Sequence, residues 1–186
     1  RYDREPVRAL QGLAPQQVVY FGTVSKTLAP SLRLGWVAAP TDLADELAHA
    51  KLLADFGSPI LDQLALRRLL EIGEYDRHVR RVRAVYRRRR DALVRALDRH
   101  LPELQPRGIS AGLHVLLRLP PGSDDVAAAE AAERAGVRVD ALSRFAFEDG
   151  EPGFVVGYGR AHEDAIEPAI SLLAEERARA GGLHGV

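Results

Sequence analysis

The sequence predicts an α/β protein: a sheet-bearing N-terminal portion, a long connecting helix and an α+β C-terminal portion. Three observations carry that expectation. Short β-branched and aromatic runs at 17–22, 32–39, 113–119 and 154–158 alternate with amphipathic stretches at 41–54, 74–101 and 163–179. Strand, helix and strand follow one another after Gly112, which fits a layered arrangement rather than a helix bundle. The composition, 46% apolar and 28% charged over 186 residues, excludes disorder, collagen and coiled coil and allows a sizeable core.

Each element has a local cause. The opening RYDREPVRALQGLAP is polar and turn-rich and reads as irregular. Gln17 to Gly22 reads as a buried strand, TVSKTLAPS as a loop, and Leu32 to Ala39 as a second strand closed by Pro40. Thr41 is placed to cap a helix through Ala54, with Asp42, Asp45 and Glu46 near its positive end. Ser58-Pro59 supplies a cap and a first-turn proline for the next helix, which Gly73 ends. A long helix follows from Glu74 to Leu101, its apolar stripe formed by Val79, Val82, Tyr86, Leu93, Leu97 and Leu101. Leu113 to Leu119 is a predicted strand. Ser123, Asp124 and Asp125 open a helix ending at Gly136, Val137 to Val139 form a short strand, and Phe154 to Tyr158 another. The last helix spans 163–179, with Pro168 predicting a kink or late start.

Composition narrows the chemistry. There is no cysteine, which excludes disulfides, thiolate metal sites and thiol catalysis, and a cytoplasmic location fits. No apolar run approaches the ~20 residues that span a bilayer, and no signal peptide is visible, so no membrane partner is expected. The 26 basic and 26 acidic residues balance, so the whole molecule has no net attraction for a polyanion. The chain has no methionine and begins at Arg1, and we read it as a piece of a longer protein. All basic residues but Lys26 and Lys51 are arginine. Only an amine can lose its proton near neutral pH and attack a carbonyl, so a lysine in a special setting invites a chemical question.

That setting is Gly22-Thr23-Val24-Ser25-Lys26-Thr27-Leu28-Ala29-Pro30-Ser31-Leu32-Arg33-Leu34-Gly35-Trp36. The Lys26 amine lies on a tight loop between two apolar strands, flanked by the hydroxyls of Thr23, Ser25 and Thr27. Arg33 follows seven residues later, where the second strand starts. A cofactor with an aldehyde and a phosphate needs an activated amine and a guanidinium fork with hydroxyl donors.

This segment resembles the lysine motif of fold-type-I pyridoxal-phosphate proteins, the aspartate-aminotransferase superfamily. RYDREPVRALQGLAP, HVRRVRAVYRRRRDAL and GYGRAHEDAIEPAISLLAE extend the resemblance to the aminotransferase-like body of MocR-type regulators, a GntR subgroup. The resemblance implies pyridoxal 5′-phosphate as cofactor, with Lys26 as the Schiff-base lysine and Arg33, Thr23 and Ser25 on its phosphate. It implies a partial fold-type-I transferase, residues 1–73 ending the large cofactor domain and 74–186 forming the small α+β domain with the connecting helix. It also implies a homodimer, a small amine or amino-acid effector, and DNA bound through an N-terminal winged-helix domain that this chain lacks. Family groups that pair with the pyridine nitrogen, approach the ring hydroxyl and stack on the ring precede the stretch seen here. Tyr2 and Asp3 fall too late in that pattern, so the chain carries about half a pocket.

One departure bears on function. Aminotransferases of α-amino acids hold the substrate carboxylate with an arginine in a C-terminal phrase that here reads Phe154-Val155-Val156-Gly157-Tyr158, with Val155 at that position. Valine cannot pair with a carboxylate, so Arg160 or Arg144 would have to reach in, or the ligand differs. This favours effector sensing over catalysis. The alternatives are a working aminotransferase using a 2-oxo acid acceptor, and a ligand-free packing module.

Other signals are bland. The ten arginines from Arg77 to Arg99 read as a solvated helix face, and the six histidines show no metal-ligand spacing. His114 reads as a core residue, Tyr20, Tyr86 and Tyr158 as core or interface residues, Lys51 as surface, and Trp36 as packed under the lysine loop.

Overall fold

A computed structural model describes residues 8–108, 112–148 and 150–182. The chain divides into two compact units, one ending at Val82 and the other beginning at Arg83. The predicted irregular opening falls partly on residues 1–7, outside the described residues; from Leu10 to Gly12 it forms a single 3₁₀ turn.

The first unit carries an antiparallel hairpin and two helices. Strand β1 spans Tyr20–Thr23 and pairs with β2, Gly35–Ala38, in the register Tyr20↔Ala38 to Thr23↔Gly35. Both strands are shorter than the sequence predicts. The N–H groups of Gln17 and Val18 are spent on Ala14 O in a turn, so the ladder cannot start at Gln17. Leu32 lies in a 3₁₀ turn over Pro30–Leu32, and Arg33 adopts a left-handed conformation with φ 51°, which delays β2 to Gly35. Helix α1 spans Thr41–Asp55 and α2 spans Ile60–Glu71. Pro40 and Pro59 occupy their capping positions, without side-chain caps, so Thr41 is the first residue of α1 rather than its cap, and Ser58 lies one residue too early to cap α2. Gly73, at φ +70°, allows the chain to leave α2, as only glycine does without strain.

Helix α3 runs from Glu74 to His100. Its polar face is partly neutralised: Arg77 pairs with Glu74 and Arg87 with Asp91, while Arg88 and Arg99 reach Glu163 and Glu167 of the last helix.

The second unit is a four-stranded antiparallel sheet covered by helices, ordered β3-β4-β6-β5. Its strands are β3 Pro106–Arg107, β4 His114–Arg118, β5 Asp140–Ala141 and β6 Gly153–Gly157. Alternation along β4 buries Val115 and Leu117, and β6 contributes Phe154 and Val156. Helices α4, Asp125–Arg134, and α5, Glu163–Gly182, add Ala129, Ala132, Ile166, Ile170 and Leu173, and α3 adds Leu93, Ala96 and Leu97. The predicted strand at 137–139 instead falls at Asp140, because Val137 N–H closes the end of α4 on Ala132 O. Helix α5 starts at Glu163 with Pro168 inside it, so there is no late start. His114 is exposed on β4, on the face opposite Val115 and Leu117, which corrects its reading as a core residue. Tyr158 is core at 1% exposure, whereas Tyr20 is exposed.

Among the described residues no helix is long and apolar enough to cross a membrane.

Candidate functional site

The connection between β1 and β2 begins with a buried anchor. Val24 is fully buried, and its N–H donates to Leu34 O at 3.2 Å, closing the mouth of the loop. Val24 O then accepts from the N–H groups of Thr27, at 3.1 Å, and Leu28, at 2.8 Å. Residues 24–28 therefore form one tight, helix-like turn with Lys26 at its crown. The Lys26 side chain is exposed and, among the described residues, has no ion-pair partner; Lys51, by contrast, pairs with Asp55.

The hydroxyls divide the work. Thr23 Oγ1 donates to Leu34 O at 3.0 Å and accepts the N–H of Ser25 at 3.1 Å. A hydroxyl has one proton and a carbonyl can only accept, so Thr23 is committed to shaping the loop. With the threonine proton on Leu34 O, the Ser25 hydroxyl donates to Thr23 Oγ1 at 2.9 Å, so the two hydroxyls form one short chain at the root of the loop. Arg33 is exposed, without an ion-pair partner among the described residues, and leaves the 3₁₀ turn just before Leu34, which faces the loop mouth. Its left-handed backbone is uncommon for a residue with a Cβ and costs of order 1 kcal/mol, a strain that concentrates at functional positions.

Two residues that sequence reasoning missed complete the setting. Tyr75 Oη lies 3.0 Å from Thr27 Oγ1, and His78 Nε2 lies 2.7 Å from Thr27 O. Their spacing of three along the start of a helix, which puts both on one face, was the available signal. Trp36 sits across the hairpin from Gly22, at the root of the loop, and is half exposed. An apolar groove of about 770 Å³ in the same unit is lined by Phe21, Trp36, Val37, Leu47 and Lys51; neither Lys26 nor Arg33 lines it.

The candidate ligand-carboxylate arginines lie in the second unit. Arg144 is exposed in a 3₁₀ turn and paired with Glu130 at 3.4 Å, and Arg160 is exposed just after β6. Val155 is half-buried on β6, opposite Leu116 and Asp140 in the ladder.

The donor types on the loop suit two kinds of group. A primary amine free of carboxylates suits an aldehyde, and a guanidinium with a hydroxyl donor suits a phosphate dianion. The groups of the loop therefore fit pyridoxal phosphate at its aldehyde and phosphate ends.

Comparison with known proteins agrees. The family described as aminotransferase class I and II matches residues 3–158. YhdI of Bacillus subtilis, named as an uncharacterized HTH-type transcriptional regulator, is 34% identical over 176 residues, covering 93% of this chain and 38% of that protein. Aromatic-amino-acid aminotransferase 1 of Thermococcus litoralis is 32% identical over 181 residues, covering 94% of this chain and 43% of that enzyme. The crystal structure of LysN, the alpha-aminoadipate aminotransferase of Thermus thermophilus complexed with N-(5′-phosphopyridoxyl)-L-leucine, superposes with a TM-score of 0.89 at 27% identity, covering 98% of this chain and 48% of that one. The chain thus spans under half the length of each.

Proposed function

The chain belongs to the class I and II aminotransferase family, whose cofactor is pyridoxal 5′-phosphate, and on that premise we propose that it forms part of the effector-sensing body of a MocR-type transcription regulator. In this reading residues 1–73 end the large cofactor domain and 74–186 form the small domain. The body works as a homodimer in the cytoplasm, and a separate winged-helix domain binds DNA.

The observation that carries the reading is the β1–β2 connection, which presents one exposed amine and one exposed guanidinium, neither with an ion-pair partner among the described residues. Lys26 Nζ is the covalent attachment point. Arg33, with the hydroxyls of Thr23 and Ser25 beside it, would hold the phosphate, the guanidinium fork supplying charge-assisted bonds. Bound there, pyridoxal phosphate supplies an aldehyde that exchanges between primary amines and a ring that withdraws electrons. Val155 cannot hold the carboxylate of an amino-acid effector, which leaves Arg160 and Arg144 as the candidates for that role.

A working aminotransferase is the second reading, favoured by the comparable similarity to the Thermococcus enzyme. In it, Lys26 Nζ also moves a proton from the substrate α-carbon. The test is to incubate the full-length protein with amines and 2-oxo acids while following operator binding. The regulator reading expects amine-dependent DNA affinity and no amino-group transfer. Steady turnover with a common 2-oxo acid would reverse it in favour of the enzyme.

A further inference from the structure

Thr27, the residue after Lys26, is held at both its side chain and its main chain by the start of α3. Thr27 Oγ1 lies 3.3 Å from Val24 O, within the turn itself, and 3.0 Å from Tyr75 Oη. Val24 O can only accept, so the threonine proton goes to it and the tyrosine hydroxyl donates to Thr27 Oγ1. The carbonyl of Thr27 likewise can only accept, so His78 carries its proton on Nε2 and donates at 2.7 Å. Tyr75 and His78 are three apart on one face of the helix, and both are half-buried. The turn is also restrained by the two amide bonds to Val24 O, by Val24 N–H on Leu34 O and by Ser25 N–H on Thr23 Oγ1. The Lys26 side chain itself makes no bond among the described residues, so its direction is set by the turn that bears it.

We propose that Tyr75 and His78 are positioning residues that latch the Lys26 turn to α3, fixing where the amine points. This rests on the reading of Lys26 as the cofactor's attachment point. The latch itself, however, is a property of the chain before any cofactor binds. Its two bonds converge on one residue, so losing either loosens the turn and losing both loosens it further.

The test uses the full-length protein, first without cofactor. Hydrogen exchange at the Thr27 and Leu28 amides is measured in Tyr75→Phe, His78→Ala and His78→Gln. Tyr75→Phe removes only a hydroxyl, so it reports even if His78→Ala fails to fold. Loss of one net hydrogen bond is expected to speed exchange at these two amides by about 10-fold. Amides of β4 and β6 should be unchanged, and His78→Gln, which places an N–H at similar reach, should restore protection. Pyridoxal phosphate is then added, and the pH dependence of the near-visible band is followed; the latch expects its midpoint to move in Tyr75→Phe and His78→Ala and to return in His78→Gln. Unchanged exchange and an unmoved midpoint in a protein that shows the band overturn the latch alone. Faster exchange in a protein that shows no band, even unsubstituted, overturns the cofactor reading and leaves the restraint on the turn standing.

Discussion

Gly22 and Trp36 are paired across the hairpin so closely that a Cβ on the glycine would lie 2.1 Å from the indole ring. The bare backbone of β1 is the seat on which Trp36 rests. Gly35, beside it, is equally confined, since its own Cβ would meet Gly22 O at 2.7 Å. Both glycines flank the lysine loop, and a side chain at either would have to displace its neighbour.

Gly22→Ala should therefore push the indole outward. Overpacking of this kind costs about 1–3 kcal/mol, less where a half-exposed ring can swing away. Trp36 is the only tryptophan of the chain, so intrinsic fluorescence reports the movement directly. A red-shifted emission and a lower unfolding midpoint are expected; an unchanged spectrum would mean the ring does not rest there.

Arg33 separates backbone strain from side-chain function. Glycine adopts its left-handed conformation freely, so Arg33→Gly should leave stability unchanged or raise it by up to about 1 kcal/mol. The same substitution removes the guanidinium fork, and pyridoxal phosphate should bind about 10–100-fold more weakly, as expected for a lost charge-assisted bond. Arg33→Lys should recover only part of the affinity, because an ammonium is a point charge without the fork. Thermal melting and cofactor titration on the same samples distinguish the two effects, and equal affinity in all three proteins would remove Arg33 from the site.

Asp125 ties the second unit together. It is 3% exposed, and it accepts from Ser143 N–H at 2.9 Å, Ser143 Oγ at 2.6 Å and Gly153 N–H at 3.0 Å, joining α4 to the turn at Leu142–Phe145 and to β6. Burial is the largest single influence and raises its pKa. The bonds from Ser143, Gly153 and Leu142 together outweigh it and hold the carboxyl below the ordinary range. A pKa lower in the folded than in the unfolded chain means the unfolded chain binds more protons as acid is added. The stabilisation is thus complete above the ordinary carboxylate range and is lost as pH falls through the folded value. Asp125→Ala should cost about 2–4 kcal/mol at neutral pH by leaving buried donors unpaired. Asp125→Asn should flatten the acid limb of a denaturant-stability profile, and an unaltered limb would contradict this.

The lysine loop was legible because its chemistry is written in consecutive residues, from Thr23 to Arg33. Long helices were legible too, since a stripe such as Leu93, Leu97 and Leu101 repeats over many turns. Strand starts were not. Whether Gln17 or Tyr20 opens β1 depends on Ala14 O capturing two amides, and Val137 is likewise taken by the end of α4. His114 misled because alternation places it outward while its neighbours Val115 and Leu117 point in. The spacing of Tyr75 and His78 puts them on one helix face, but their partner was not legible, because Thr27 lies some fifty positions away. Asp125 is legible in the sequence as a helix-opening charge, but its bonds to Ser143 and Gly153 depend on tertiary placement.

Whether the Lys26 amine carries the cofactor can be read from absorbance and peptide mapping. The full-length protein mixed with pyridoxal phosphate should develop a near-visible band that borohydride reduction fixes onto a peptide containing Lys26. Lys26→Ala should abolish both the band and the label. A Lys26→Ala protein that keeps the band, or a label found on Lys51 instead, would show that Lys26 is not the attachment point.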